Sequence, residues 1–250
     1  MGVKTGTPFE NSHLPLLVWF RFCWLTCLAK NGVSGRFIAR YFSIRGKAAV
    51  RLSARIRKHM AWQLPSPIFA KVDGPIQIDE TQLSRATPLL GSDGYFKPIV
   101  FGIIDQKKAF TRLVPNRKRV TLYPLIRDHV ELGTTIHTDQ LTTYRSLSLE
   151  GYDHHTVNHS SGMWKTPQGV STHRIDLYWA RLKRFIRTTH GHIHQKSIEA
   201  YLKEFEYRYF YRDNPIGMFE QLISNFPSYP RGRARTVSSH TSDFAPALQQ

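Results

Sequence analysis

Along the 250-residue chain, apolar positions recur first with the period of helices and then, beyond residue 67, with that of strands. In residues 12–30 Leu16, Leu17, Phe20, Trp24, Cys27 and Leu28 recur at helical spacing, and Asn31-Gly32 closes the segment, so a helix is predicted. Ser34 is placed to cap a second, short helix through Tyr41. A turn at 43–46 leads into a third helix reaching about Met60. The spacing Ala39, Ile44, Ala49 suits two helices crossing tightly, as in a helix-turn-helix. Gln63-Leu64-Pro65-Ser66-Pro67 reads as linker.

The strand pattern opens at Ile76 and Ile78 and is expected to end at Asp79, next to Glu80. Neighbouring side chains of a strand point to opposite faces, so only one of these two acids belongs to any site built on one side. Residues 84–94 read as loop. Apolar runs at 98–104 and 110–114 flank the polar turn 105–108 and predict an antiparallel hairpin. Residues 122–132 follow as a helix with Leu122, Leu125, Ile126 and Val130 on one face, ended by Gly133. Residues 134–138 form a strand that stops at another carboxylate, Asp139, and 152–157 a further short strand. A long helix spans 172–187 with Ile175, Trp179, Leu182 and Ile186 inward, and a closing helix spans 198–211 with Leu202, Phe205 and Tyr209 inward.

This order predicts an α/β (α+β) fold: a ribonuclease H-like mixed sheet with flanking helices, preceded by a small all-helical helix-turn-helix domain. The topology sets the first and fourth strand ends side by side, although Asp79 and Asp139 are 60 residues apart. The expected domains are a flexible start (1–11), the helix-turn-helix domain (12–62), a linker (63–73), the sheet domain (74–226) and a basic disordered tail (227–250) carrying Arg231, Arg233 and Arg235.

Charge narrows the partner. Thirty-five Lys and Arg against 18 Asp and Glu leave +17, a balance that calls for a polyanion such as nucleic acid. Arg45, Lys47, Arg51, Arg55, Arg57 and Lys58 decorate the third helix as phosphate contacts; the rival reading is a solvated basic face. Cys23 and Cys27 suggest neither a disulfide framework nor a four-ligand zinc site, which fits a reducing compartment. The apolar run 14–28 contains Arg21 and is too short to span a bilayer, so a soluble protein without membrane contact is expected. His190, His192 and His194 alternate after the long helix and read as a solvated junction, with a metal site the alternative.

The candidate chemistry sits at the strand ends. Two carboxylates on adjacent ends suit a hard divalent cation. Asp176, at the edge of the apolar stripe of the long helix, can look toward them as a third acid, and Lys183, two turns on, can reach a phosphate.

The sequence 78–81 (Ile-Asp-Glu-Thr), Thr138-Asp139 with Tyr144, Val157-Asn158-His159-Ser160, the helix 172–179 with Leu182-Lys183-Arg184, and Glu204-Phe205 together resemble DDE-class insertion-sequence transposases of the ISXO-like, Merlin-related group, over about residues 74–212. The resemblance implies a polynucleotidyl transferase performing metal-dependent DNA cleavage and strand transfer with two Mg²⁺ or Mn²⁺ ions. Asp79 and Asp139 match the first two acids of the motif. The third matches Asp176, where the group more often has Glu; His173 stands where it usually has Asn, and the third ligand is either Asp176 or His173. His159, Lys183 and Arg184 are implied as DNA contacts. The partners implied are double-stranded DNA (element terminal repeats and target DNA) and further copies of the chain. The location is the cytoplasm or nucleoid in a bacterium and the nucleus in a eukaryote. The alternative is a catalytically weakened or domesticated transposase that acts by binding DNA.

Overall fold

The strands in chain order are β1 (Ile76–Gln82), β2 (Ala86–Thr87), β3 (Ile99–Ile104), β4 (Ala109–Val114), β5 (Thr135–Asp139), β6 (Asp153–Val157) and β7 (Ile193–His194). The helices are α1 (Leu16–Leu28), α2 (Gly35–Tyr41), α3 (Gly46–Gln63), α4 (Arg119–His129), α5 (His173–Phe185), α6 (Ile198–Phe210) and α7 (Pro215–Ser224). This is a computed structural model; it describes residues 4, 5, 7, 9–64, 66–83, 86–87, 98–157, 166, 169–191 and 193–224.

Five strands form one sheet in the order β4-β3-β1-β5-β6, with β1, β3 and β4 antiparallel and β5 and β6 parallel to β1. α4 makes the crossover from the β4 edge to β5. The result is a ribonuclease H-like mixed sheet flanked by helices. β2 and β7 pair separately as a short parallel ribbon. β1 does not stop at Asp79 as expected; it continues to Gln82 because residues 80–82 stay paired with Phe101, Val100 and Ile99 of β3.

Strand alternation divides β1 between two cores. Ile76 and Ile78 pack with Phe101, Ile103 and Phe110 against Leu122, Tyr123 and Ile126 of α4. The opposite face is covered by α5 and α6 through Ile175, Trp179, Leu182, Leu202 and Phe205. Burying side chains of this size contributes roughly 1.5–3 kcal/mol each. The edge strand β4 is protected by α6. The Thr111 N–H donates to Glu206 Oε1 (2.7 Å) and the Leu113 N–H to Glu199 Oε1 (2.7 Å), so β4 offers neither group to a foreign strand.

A third core joins α1, α2 and α3 to the C-terminal helices. Trp19, Phe22, Cys23, Ile38, Leu52, Ile56 and Met60 pack with Tyr207 of α6 and with Met218 and Leu222 of α7. Both cysteines are free and buried. The recurring residues of α1 lie largely on its outer side. Leu17, Phe20, Trp24 and Leu28 are 38–58% exposed, whereas Trp19, Phe22, Cys23, Thr26 and Cys27 are buried. α1 is apolar almost all round, so its period cannot choose a side; α7, packing on it, does. The α2–α3 turn forms as the spacing predicts, with the Ile44 N–H donating to the Ala39 carbonyl (3.0 Å) and Ala49 fully buried. Among the described residues no helix is long and apolar enough to cross a membrane.

Candidate active site

β1 and β5 pair in parallel with Ile76 opposite Ile136 and Gln77 opposite His137. The same offset of 60 brings Asp139, the last residue of β5, level with Asp79 and on the same face of the sheet. That face is the one covered by α5. Gln77, two residues before Asp79, fastens the start of the helix: its Nε2 donates to the Ser171 carbonyl (2.5 Å) and its Oε1 accepts from the Ile175 N–H (2.8 Å). Asp176, in the first turn of α5, is half-buried and accepts a long hydrogen bond from Thr172 Oγ1 (3.4 Å). An acid there is favoured by the helix dipole.

Trp179 lies between α5 and the sheet and donates from its indole N–H to Asp79 Oδ2 (2.9 Å). It can approach because Gly102, the β3 partner of Asp79, has no side chain. A Cβ at Gly102 would stand 2.4 Å from Trp179 Cη2.

The electrostatics reflect this crowding. Burial pushes the Asp79 carboxyl up to about 7; the Glu80 backbone N–H and the Trp179 indole oppose the rise, while Asp139 and Asp176 add to it. Asp139 and Asp176 therefore both act on Asp79 across the site. On the α4 side of the sheet Glu80 is raised to about 8, by burial first and then by Asp79 and Asp139, with Arg117 opposing. Its side chain is only 3% exposed, Arg117 Nε stands 3.6 Å from Oε2, and Oε1 has no hydrogen-bond partner. Asp79, with Asp139 and Asp176 acting on it, offers carboxylate oxygens, the donor type that suits Mg²⁺ or Mn²⁺. Among the described residues, however, no three His, Cys, Asp or Glu side chains stand close enough together to ligate one ion.

His173 is exposed at the first turn of α5, its backbone N–H bonded to Ser171 Oγ (3.1 Å), and Lys183 and Arg184 are exposed further along the same helix. On α3, Arg45, Lys47, Arg51, Arg55 and Lys58 face solvent, with one Arg55 N–H donating to the Glu10 carbonyl (2.9 Å). Arg57 is corrected: its Nε binds Glu204 (2.7 Å) and its guanidinium lies 4.1 Å over the Tyr201 ring, so it fastens α3 to α6 instead of meeting phosphates. His190 is not a solvated junction residue either. Its ring packs on Phe185 and Tyr201, and burial holds it down to about 4. His159, His192 and the arginines of the tail lie outside the described residues.

Sequence reasoning missed Gln77, Gly102 and Trp179 as supports of the site. Trp179 had been assigned to the core by its period alone. The signal available was a Gln alternating with the first acid and a Gly inside an otherwise β-branched run, which marks a close approach.

Residues 71–209 match the ISXO2-like transposase domain family. The chain is 30% identical over 118 residues to an uncharacterized transposase-like protein of Haemophilus influenzae, covering 46% of this chain and 94% of that protein. Among solved structures it is similar to a chain of the simian T-cell lymphotropic virus intasome bound to the PP2A regulatory subunit B56 gamma (TM-score 0.35, 11% identity, 88% of this chain and 78% of that one). It is also similar to a chain of the pre-cleavage Mos1 transpososome (TM-score 0.32, 10% identity, 77% and 74%).

Proposed function

The chain belongs to the ISXO2-like transposase family, and on that premise we propose that it cuts DNA at the ends of a mobile element and joins them to target DNA. The observation that carries the proposal is the grouping of Asp139 and Asp176 about Asp79, under the helix that Gln77 pins to β1. Asp79, Asp139 and Asp176 would hold the ions, with His173 the alternative to Asp176. Two bound Mg²⁺ or Mn²⁺ ions supply charge neutralisation and an activated water or DNA 3′-hydroxyl for in-line phosphoryl transfer.

The chain's own residues prepare that chemistry. The Trp179 indole fixes the orientation of the Asp79 carboxyl through Oδ2. Burial and the neighbouring acids raise the Asp79 carboxyl to about 7, so Asp79 would have to give up its proton to hold a cation. Lys183 lies seven residues beyond Asp176 on nearly the same helical face and, with Arg184, meets the DNA backbone beside the site. The solvent-facing basic side chains of α3 hold the duplex. No covalent protein nucleophile is required. Joining two DNA ends calls for at least two copies of the chain.

A second reading has one observation in its favour. Without three gathered ligands among the described residues, the site also suits a weakened transposase that binds DNA and does not cut it. Mn²⁺-dependent cleavage and joining of labelled element-end DNA separates the two, using the unaltered chain, Asp79→Ala and Asp176→Ala. Activity abolished by both changes is the expected result. Tight DNA binding with no cleavage by the unaltered chain would decide for the second reading.

A further inference from the structure

Outside the carboxylate site, the described surface holds one crowded group of positive charge that no role above absorbs. A cavity of about 310 Å³ opens where the β3–β4 turn meets α5 and the end of α6, and Arg174, Arg181 and Arg212 line it with Leu177 and Tyr209. The three guanidinium groups all act on Tyr209, whose hydroxyl burial pushes up and whose phenolate each of them favours. They therefore converge on one spot.

Little on the protein balances them. Arg174 and Arg181 have no ion-pair or hydrogen-bond partner among the described residues. The nearby Asp105 is committed to its own turn, accepting from the Lys107 and Lys108 N–H groups (2.6 and 2.5 Å). Asp213, 3.4 Å from Arg212 Nε, is 87% exposed and turned to water. Arg212 is held in place: it lies 4.4 Å over the Tyr209 ring and donates to the Tyr209 carbonyl (2.7 Å) and to the Gln106 carbonyl. The site thus has one fixed guanidinium and two that remain free to fork onto an oxyanion.

Position defines the ligand further. Arg174 and Arg181 are seven residues apart on α5, hence about 10 Å apart along its axis and on one face. Asp176 and Lys183 project from a face of the helix roughly 160° away, given about 100° per residue. A backbone held by these arginines is therefore a stretch of nucleic acid other than the phosphate at the carboxylates. A long polyanion reaches both sides of one helix; a small metabolite does not.

We propose that Arg174, Arg181 and Arg212 form a second phosphate site, which holds the backbone of duplex DNA on the far side of α5 from the carboxylates. This rests on the transposase reading of the protein but concerns a different surface. A phosphate site reads no bases, so its contribution is the same on any sequence.

The test uses the full chain and a fluorescent duplex of arbitrary sequence, titrated across a series of salt concentrations. Replacing both free arginines (R174Q with R181Q) is expected to weaken binding roughly tenfold to a hundredfold near 0.1 M salt, and to reduce the slope of log K against log salt by about 1.8, two contacts at about 0.9 each. Duplex binding and slope equal to those of the unaltered chain would overturn the proposal and leave the transposase reading standing. Failure of the unaltered chain to bind any duplex would remove both. A second measurement needs no variant: phenylglyoxal modification of the unaltered chain, mapped by mass spectrometry with and without duplex. DNA is expected to protect Arg174 and Arg181, and equal modification in both states would overturn the proposal even where the double variant folds poorly.

Discussion

Two groups of acids in this molecule have opposite fates. Glu204 on α6 is buried beside Arg57 and Arg208 and accepts from both, at 2.7 Å from Arg57 Nε and 2.9–3.0 Å from Arg208. Burial alone would raise its carboxyl, but the two arginines outweigh burial and hold it at about 2. Asp79 and Glu80 are half-buried residues, yet their nearest charges are mostly other carboxylates, and they are pushed up to about 7 and 8. The first group is complete within the chain and ties the N-terminal helices to the sheet. Arg208 also donates to the Thr26 and Ala29 carbonyls at the end of α1 (2.7 and 3.1 Å). Among the described residues no positive side chain faces Asp79 as the arginines face Glu204, and the proposed divalent cation would fill that place. Burial of an acid therefore does not distinguish scaffold from site; the sign of its neighbours does.

The largest effect is expected at the completed group. Glu204→Ala leaves two buried guanidinium groups unpaired and should lower stability by about 3–5 kcal/mol, read from urea unfolding. Glu204 titrates at about 2 in the folded chain against an ordinary 4.5. Its contribution is full above about pH 4.5 and is lost as pH falls toward 2. Acid unfolding of Glu204→Gln should lack that part of the pH dependence. If both variants melt with the unaltered chain, the hub is not what joins the two regions.

Asp79→Asn should behave in the opposite way. It relieves repulsion among Asp79, Asp139 and Asp176, so stability should be unchanged or higher, while cleavage falls by at least ~10²–10³-fold, the scale of losing one electrostatic partner of the transition state. A cooperative loss of stability with intact cleavage would reverse the assignment of scaffold and site.

Trp179→Phe removes the N–H that fixes Asp79 together with the benzo edge that lies against Gly102. A ten- to hundredfold loss of cleavage is expected, as for other groups that orient a ligand, with a loss of about 1–3 kcal/mol of stability from the space left at Gly102. Gly102→Ala should cost about 1–3 kcal/mol through overpacking against the indole. Its cleavage rate should fall toward that of Trp179→Phe, measured in the same assay.

Much of the sheet was legible because its signals are local. The alternation of Ile76 and Ile78, the polar turn at 105–108 and Gly133 each mark an element by chemistry within a few residues. The placement of Asp79 level with Asp139 was legible through topology, since a crossover helix between parallel neighbours leaves few arrangements. What escaped reading depends on contacts far apart in sequence. Trp179 and Asp79 are 100 residues apart, Gln77 and Ile175 are 98, and Arg57 and Glu204 are 147. The buried side of α1 is set in the same way, by α7, which follows almost two hundred residues later.

If the acids around Asp79 are a cation site and Glu204 is not, the two places must differ in metal binding. Calorimetric titration of Mn²⁺ into the full chain, without DNA, tests it directly. The unaltered chain and Glu204→Gln should bind Mn²⁺, and Asp79→Asn and Asp139→Asn should lose that binding. Mn²⁺ bound equally well by Asp79→Asn, or not bound by the unaltered chain, would contradict it.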